Sequence, residues 1–378
     1  MIKLAGLAGL KKITSNSHYH IFANLFKRYY LRSAFFPSDL VKNHQEFYQK
    51  NFLKYRYSNI VNPSANDTDL VSDNLTKYCA ENNSEELNNL LKAIEQFIDD
   101  KNCLVLEIKG LNQADNLTIN HQALFKNLLV CALIHKFNFV RTKYKQNFVL
   151  GTIGELGGLK KISDYLPLLP HRDAVDANMI PQYVAIVNIA SNDHAQTFFV
   201  DNQKIIENMA RQYPNELAIL LETKIIVKEF DRLQEVFSSS KQSFCVVEKS
   251  ENNQYKINLF SDRFKMFLVS PNQITRDDFI KAVFTLKKVV VNHQEQMNIV
   301  LNSDNQVVFF KNQALLHGRS ALSSDKYREV NYLPFEDSII KKMKTNTESY
   351  LHKKPSSSLL SALTKFSKLK DHSLKFLS

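Results

Sequence analysis

The chain has 378 residues, of which 44% are hydrophobic and 23% are charged, values ordinary for a globular protein with a full-sized core. The net charge of +11 lies at the two ends: residues 1–38 carry six Lys or Arg and no acid, and residues 339–378 carry nine Lys against two acids, which leaves −2 for residues 39–338. A nearly neutral body argues against a nucleic-acid-binding protein, which needs a basic face on its folded domain.

The charge distribution suggests a basic N-terminal extension over 1–66, one domain over 67–338 and a basic tail over 339–378. The start of the extension is acid-free and weakly amphipathic, which is typical of a transit peptide and also of a surface helix, the preferred interpretation. The tail places Leu and Phe at helical spacing among lysines, so weak contact with a membrane surface is an alternative to packing on the protein. Four widely spaced cysteines indicate reduced thiols and a cytoplasmic protein.

Between the ends, helical and strand-like patterns follow one another without regular alternation. Helices are predicted at 84–99, 121–138, 202–222 and 276–300. Strands are predicted at 103–108, 146–150, 182–190, 196–200, 224–228, 244–248, 255–260, 266–269 and 306–311. The most apolar stretch, LLVCALI at 128–134, is shorter than the roughly 20 residues of a spanning helix and is predicted to be core. Many short strands favour a mainly β sandwich or jelly roll with helical additions (α+β) over a doubly wound parallel sheet.

Three polar residues follow apolar stretches in a pattern that suits a metal ion. His171 and Asp173 are two residues apart, so in an extended segment their side chains point to the same side. His317 follows the strand-like run VVFFKNQALL and is the candidate third ligand. Two histidines and one carboxylate cover one face of an octahedral ion and leave three positions open, as in non-haem Fe(II) oxygenases. In a chain with 11 histidines, the H-x-D triplet alone is unspecific.

Three longer segments carry a resemblance to a known family. They are NCLVLEIKGL at 102–111, HRDAVDANMIPQYVAIVNIASNDHAQTFFVD at 171–201 and NIVLNSDNQVVFFKNQALLHGRSAL at 298–322. In this order they resemble the opening strand, the metal motif with its following strand and threonine, and the second histidine motif of the Fe(II)/2-oxoglutarate dioxygenases of the taurine dioxygenase and clavaminate synthase-like superfamily. The resemblance covers about residues 100–335. It implies a double-stranded β-helix, or jelly-roll, fold of the clavaminate synthase-like type.

The resemblance also implies a ligand set and a co-substrate. His171, Asp173 and His317 correspond to the ligands of Fe(II), and 2-oxoglutarate and O₂ are the expected co-substrates. Thr197, 24 residues after Asp173, corresponds to the threonine that helps to hold the 2-oxoglutarate carboxylate. The alternative is that this β-branched residue simply fills its strand.

Two arginines are candidates for binding the distal carboxylate of 2-oxoglutarate. Arg328, 11 residues after His317, corresponds to the arginine that performs this task in the family, because a guanidinium makes two parallel bonds to a carboxylate. Arg319 is the alternative and could instead brace its loop. Asn312 corresponds to the asparagine before the second histidine, with an expected role in supporting the turn or a ligand.

The chain departs from the family pattern at several positions. Arg172 stands where a small or polar residue is usual, Lys311 where an aspartate is common, and Ala195-Gln196 where glycine is usual. Tyr332 or Asn331 lies where some relatives carry a further arginine. These departures leave the ligand set intact. Arg172 and the missing glycines are the best support for an alternative, a catalytically inactive jelly-roll binding protein that acts through its basic terminal segments.

The sequence therefore predicts an Fe(II)/2-oxoglutarate-dependent dioxygenase that hydroxylates or otherwise oxidises a small molecule, with an amino acid or a derivative as the expected substrate. Asp173 favours hydroxylation or a related oxidation, because halogenating relatives replace this carboxylate. Arg172 flanks the expected metal and could contact substrate, or be a plain loop charge. A zinc hydrolase with the same three ligands is a further alternative, although no general base stands out beside them.

Overall fold

The computed structural model describes most of the region between the two basic ends. The described residues are 31–53, 65–111, 117–137, 139–141, 151–153, 166–174, 177, 180–191, 195–230, 236–249, 254–261, 264–269, 276–293, 298–300, 306–321 and 328–337. The predicted strand at 146–150, most of the basic N-terminal stretch and the whole tail at 339–378 lie outside them. Within the described part of the chain, no helix is long and apolar enough to cross a membrane.

Seven helices are described. They are α1 (Ser38–Asn51), α2 (Ala65–Glu81), α3 (Glu85–Asp99), α4 (Ile119–His135), α5 (Asn202–Gln212), α6 (Pro214–Glu222) and α7 (Arg276–His293). Side-chain oxygens of Ser84, Thr118 and Asp201 accept hydrogen bonds from the first-turn N–H groups of α3, α4 and α5, which explains where these helices begin.

The predicted helix at 202–222 is two helices, α5 and α6. Tyr213 separates them with φ −139° and ψ 54°, outside the helical region. Pro214 follows as the first residue of α6, where its missing N–H costs nothing and its fixed φ suits a helix start.

Seventeen strands are described. In chain order they are β1 (Leu31–Phe35), β2 (Val105–Lys109), β3 (Phe139–Arg141), β4 (Gly151–Ile153), β5 (Leu168–His171), β6 (Tyr183–Ser191), β7 (Gln196–Asp201), β8 (Lys224–Phe230), β9 (Val236–Ser239), β10 (Phe244–Cys245), β11 (Val247–Lys249), β12 (Tyr255–Ile257), β13 (Phe264–Leu268), β14 (Asn298–Val300), β15 (Val307–Lys311), β16 (Leu315–Arg319) and β17 (Arg328–Asp337). The predicted strand at 244–248 is thus two short strands, and the predicted helix at 276–300 ends at His293, before β14.

The described strands form four sheets. The largest has the order β1-β2-β15-β6-β17-β3, with β4 also paired to β17, and the second has the order β14-β7-β16-β5. A third joins β10, β8 and β13, with β9 on β8, and β11 pairs with β12. The β1–β2 pair is parallel, whereas the pairings of β15 with β2 and β6, and of β16 with β5 and β7, are antiparallel.

The seven-stranded sheet and the β14-β7-β16-β5 sheet pack face to face over a shared apolar cluster. On the seven-stranded sheet, Phe310 pairs with both Val105 and Val184, and all three side chains are buried in this cluster. Phe199 and Leu315 contribute to it from the four-stranded sheet. The ring centroids of Phe199 and Phe310 are 5.1 Å apart across the gap. The result is a two-sheet sandwich with an apolar cluster between its sheets.

Helices cover the outer faces of this sandwich. On the seven-stranded sheet, the outward residues Leu106, Val187 and Phe309 share a core with apolar residues of α1 to α4, including Leu90 and Leu128. On the other side, Val200 and Leu316 share a core with α5, α6, α7 and the small sheets. Because each strand alternates its side chains between these layers, the inward positions of β7, β16 and β17 are left for the polar residues of the candidate site.

Candidate metal centre

Neighbouring strands bring the three predicted metal ligands together. His171 ends β5, and its Cα pairs with that of His317 on β16. Asp173 lies two residues beyond His171, in the segment that leaves the strand. On the other side of β16, Phe199 pairs with His317, and Phe310 of the opposite sheet lies 4.7 Å from the His317 ring, centroid to centroid. The cluster therefore lies inside the sandwich, between the two sheets.

The side-chain atoms of the three residues converge on one point. Nε2 of His171 is 3.5 Å from Oδ1 of Asp173, and Nε2 of His317 is 3.6 Å from Oδ2 of the same carboxylate. One ligand atom from each residue can be chosen so that all lie within 4.8 Å of one another. Ligands bound at about 2.1 Å on adjacent corners of an octahedral ion lie about 3 Å apart. Small side-chain adjustments are enough to reach that geometry.

Both imidazoles can offer a ring nitrogen to this point. The Nδ1 atom of His171 is 2.9 Å from the Leu169 carbonyl oxygen, which can only accept, so Nδ1 donates, and in the neutral ring Nε2 carries the lone pair. The His317 ring is 2% exposed, and among the described residues neither of its nitrogens has a hydrogen-bond partner. Burial lowers the pKa of His317 to about 4, although the Asp173 carboxylate acts in the opposite direction. A buried, neutral imidazole without a hydrogen bond fits a metal ligand.

Asn312 holds the backbone of Asp173 in place. Its Oδ1 accepts from the Asp173 N–H at 3.0 Å, and its Nδ2 donates to the Asp173 carbonyl at 2.9 Å and to the Pro181 carbonyl at 2.9 Å. The side chain is fully buried. Two of these hydrogen bonds end on the main chain of Asp173, so Asn312 helps to fix how the carboxylate ligand enters the site, a supporting role of the kind expected from the sequence.

Arg328 and Thr197 meet in the same interior. The Arg328 side chain is 1% exposed, and its Nη2 donates to Oγ1 of Thr197 at 2.8 Å. The two residues come from opposite sheets, β17 and β7, so this bond crosses the sandwich. The Arg328 cation also acts on His317, since it lowers the pKa of that ring in addition to burial. A buried guanidinium next to a metal-binding cluster is suited to a second anionic group.

Arg319 is placed differently from Arg328. It ends β16 and pairs with Thr197 across the strands, but its guanidinium bonds to main chain: Nη1 donates to the Ser320 carbonyl at 2.9 Å and Nη2 to the Leu166 carbonyl at 3.2 Å. Leu166 lies just before β5. Arg319 thus braces the segment that leads into His171.

Tyr332 lies on the inner face of β17, near His317 and the two arginines. Its ring centroid is 6.3 Å from that of His317. Burial raises the pKa of the Tyr332 hydroxyl, Arg328 and Arg319 act in the opposite direction, and Asp173 acts in the same direction. One aromatic hydroxyl, two guanidinium groups and the carboxylate ligand therefore share one interior.

Two departures from the family pattern have contacts outside the cluster. Arg172 is 4% exposed and its Nη1 donates to Oδ1 of Asn258, on the opposite side of the segment from the ligands. Burial lowers the pKa of Arg172 to about 10, with Glu248 acting in the opposite direction. The Nζ atom of Lys311 donates to the Asp100 carbonyl at 2.9 Å, at the carboxyl end of α3, where a cation is favourable. Arg172 is therefore not a plain loop charge, because it is buried and bonded to Asn258.

Two structurally important residues were not identified from the sequence. Asn258 has no motif around it, and only the fold brings it to Arg172. Lys126 lies in the apolar run of α4, yet it is fully buried and its Nζ donates to the carbonyls of Asn188 and Ile189 at 3.0 and 3.1 Å. The two carbonyls belong to the part of β6 where its register against β17 shifts, and on β17 the shift lies close to Arg328 in the chain. A lysine within an apolar helical stretch was the available signal.

A two-sheet sandwich with a buried His-Asp-His cluster between its sheets is an architecture that could hold a metal ion. No family model matches the chain, and no curated protein sequence matches it. Solved structures do. The chain is similar to the non-heme iron oxygenase OrfP solved with Fe and alpha-ketoglutaric acid, at 13% identity and a TM-score of 0.54, over 82% of this chain and 94% of that one. A variant of OrfP in complex with (3S)-hydroxy-L-Arg is 14% identical with a TM-score of 0.54, over 83% of this chain and 96% of that one. OrfP with Fe and L-Arg is 11% identical with a TM-score of 0.51, over 80% of this chain and 93% of that one. At these identities the likeness is one of fold.

Proposed function

We propose that the protein is an Fe(II)/2-oxoglutarate-dependent dioxygenase of the clavaminate synthase-like type, with a jelly-roll core, that oxidises a small molecule. The observation that carries the proposal is the His171, Asp173 and His317 cluster, whose ligand atoms lie within 4.8 Å and whose buried His317 ring has no hydrogen bond in the described structure. The shared fold with a non-heme iron oxygenase supports it.

The three ligands suit Fe(II) by their chemistry. Imidazole and carboxylate groups suit ferrous iron, and three ligands on one face leave positions for co-substrate and oxygen. His171 would bind through Nε2, because its Nδ1 is engaged by the Leu169 carbonyl. When bound, the iron would supply the oxidising chemistry, with 2-oxoglutarate converted to succinate and CO₂. The protein supplies the orientation of the ligands and an interior from which water is largely excluded.

Arg328 and Thr197 would hold the distal carboxylate of 2-oxoglutarate. The guanidinium is charged and buried, and the Thr197 hydroxyl fixes one of its nitrogens at 2.8 Å. A carboxylate placed there would gain charge-assisted hydrogen bonds, which are roughly twice as strong as neutral ones. Arg319 is not the preferred residue for this role, because Nη1 and Nη2 each bond to a backbone carbonyl.

For the substrate we propose an amino acid or a derivative, with hydroxylation as the reaction. OrfP structures contain L-Arg and hydroxylated L-Arg, which supports an amino-acid substrate for a protein that shares the fold. Two of the departures noted above, Arg172 and Lys311, have structural partners in Asn258 and the Asp100 carbonyl. The catalytically inactive alternative keeps the support of Ala195-Gln196, where the family has glycine.

The experiment that tests the proposed function is turnover of 2-oxoglutarate to succinate with Fe(II), ascorbate and O₂ and without added substrate, since such oxygenases turn over slowly when uncoupled. Wild-type protein should form succinate, and His317→Ala should not. His135→Ala is the matched control, because His135 ends α4 on the outer side of the seven-stranded sheet and should leave turnover unchanged. Absence of succinate from the wild type would contradict the proposal. If succinate is formed, a screen of amino acids for a mass gain of one oxygen would identify the substrate.

A further inference from the structure

The middle residue of the His-Arg-Asp motif points away from the ligands. Its two neighbours, His171 and Asp173, are the metal ligands. In an extended segment successive side chains point to opposite sides, so the Arg172 side chain points away from them. There it is 4% exposed, so the cation is removed from water. A buried charge is costly unless it is hydrogen-bonded or paired. The surroundings of the guanidinium therefore determine whether the motif is stable in this shape.

The partner of Arg172 is a buried amide with three further bonds. Asn258 accepts from Nη1 of Arg172 through Oδ1, and its Nδ2 donates to the Cys245 carbonyl at 2.8 Å and to Oε2 of Glu248 at 3.1 Å. Its backbone N–H donates to the Val246 carbonyl at 2.7 Å. Asn258 is 1% exposed. The segment 245–248 thus holds Asn258 through bonds that do not involve Arg172.

The main chain of the motif is held by the same region. The Arg172 N–H donates to the carbonyl of Leu259, the next residue after Asn258, at 2.6 Å. Two consecutive residues that follow β12 therefore bind both the backbone and the side chain of Arg172. On the opposite side, Asn312 binds the backbone of Asp173. The backbone between the two ligands is held from both directions.

We propose that Arg172 is a positioning residue for the metal centre, which acts through Asn258 and Leu259 to fix the spacing between His171 and Asp173. The inference rests on the proposed function, because it concerns the affinity of the same metal site. It means that the β11–β12 hairpin, which contributes no ligand, helps to set how tightly the ion is held. Removal of residues that orient metal ligands typically weakens binding 10- to 100-fold.

The experiment measures Mn(II) binding to the full chain, by the loss of the electron paramagnetic resonance signal of the free ion. Arg172→Met removes the cation and keeps much of the volume, and the Mn(II) dissociation constant should rise about 10- to 100-fold. Asn258→Leu removes the partner and should give a rise of similar size. Because both residues act along one path, the double variant should bind no more weakly than the weaker single variant. Arg172→Lys, which can still donate to Asn258, should recover most of the affinity.

A general loss of stability is separated by a matched control. Ile94 is fully buried in the core of α1 to α4, and Ile94→Ala should lower the unfolding temperature without changing Mn(II) affinity. If Arg172→Met or Asn258→Leu fails to fold, as checked by circular dichroism, Arg172→Gln, which also removes the cation, and Asn258→Ser provide the same comparison. Unchanged affinity in the folded variants, or fully additive losses in the double variant, would overturn the inference alone. A wild-type chain that binds no Mn(II) would overturn the proposed function, and the inference with it.

Discussion

Exchange of Arg328 for lysine should weaken 2-oxoglutarate binding with little effect on the metal. The lysine keeps the positive charge in a site that is 1% exposed, but it loses the planar fork and the Nη2 bond of 2.8 Å to Thr197. Loss of hydrogen bonds to a charged partner costs about 1.5–3 kcal/mol. That cost corresponds to roughly a ten- to hundredfold rise in the dissociation constant of the co-substrate. Thr197→Val, which replaces the hydroxyl by a methyl group, should reduce the binding free energy of 2-oxoglutarate by about 1 kcal/mol.

The assay is an anaerobic titration of the Fe(II) protein with 2-oxoglutarate, followed by the visible metal-to-ligand charge-transfer band. Arg319→Lys is the matched control, because its guanidinium donates to the Ser320 and Leu166 carbonyls and should matter for stability more than for binding. A large loss at Arg319 with none at Arg328 would reverse the two roles. No loss at either position would remove 2-oxoglutarate from the proposed mechanism.

Two further predictions concern stability. Burial lowers the pKa of His44 to about 4 from 6.5, so the unfolded chain binds more protons between these values, and the stability present above pH 6.5 is lost as the pH falls towards 4. The loss is about 3 kcal/mol, and His44→Leu should remove that part of the slope in denaturant unfolding at pH 7 and pH 4; an unchanged slope would contradict it. Asn312→Ala removes three side-chain hydrogen bonds, at about 0.5–1.5 kcal/mol each. It should lower the free energy of unfolding and weaken Mn(II) binding, and unaltered Mn(II) affinity would refute the role of Asn312 at Asp173.

The sequence predicted best those elements whose apolar runs are local. The strands predicted at 182–190 and 306–311 are found as Tyr183–Ser191 and Val307–Lys311. The proximity of His171 and Asp173 also follows from local geometry, because residues two apart in an extended segment share a side. The pairing of His171 with His317 depends on the register of β5 against β16, and only the family resemblance anticipated it.

Elements that depend on tertiary contacts were less predictable. Helix α1, Ser38–Asn51, lies in the region that the charge pattern assigned to a basic extension, although its buried Leu40, Val41 and Tyr48 are at helical spacing. The hairpin strands Val247–Lys249 and Tyr255–Ile257 are only three residues long, too short for a periodic signal.

The same limit applies to individual side chains. No local pattern links Arg172 to Asn258, 86 residues away, or Lys311 to the end of α3. Charges that departed from the family pattern were therefore open to a functional interpretation until the fold provided their partners.

The central claim is that His171, Asp173 and His317 hold one ferrous ion. The most direct measurement is the amount of Fe(II) bound per chain under anaerobic conditions, for the wild type and for His171→Ala and His317→Ala. We expect one ion per wild-type chain and none in either variant, with the fold retained, because a chain of this size has a core large enough to persist without its ion. An iron content in both variants equal to that of the wild type would contradict it.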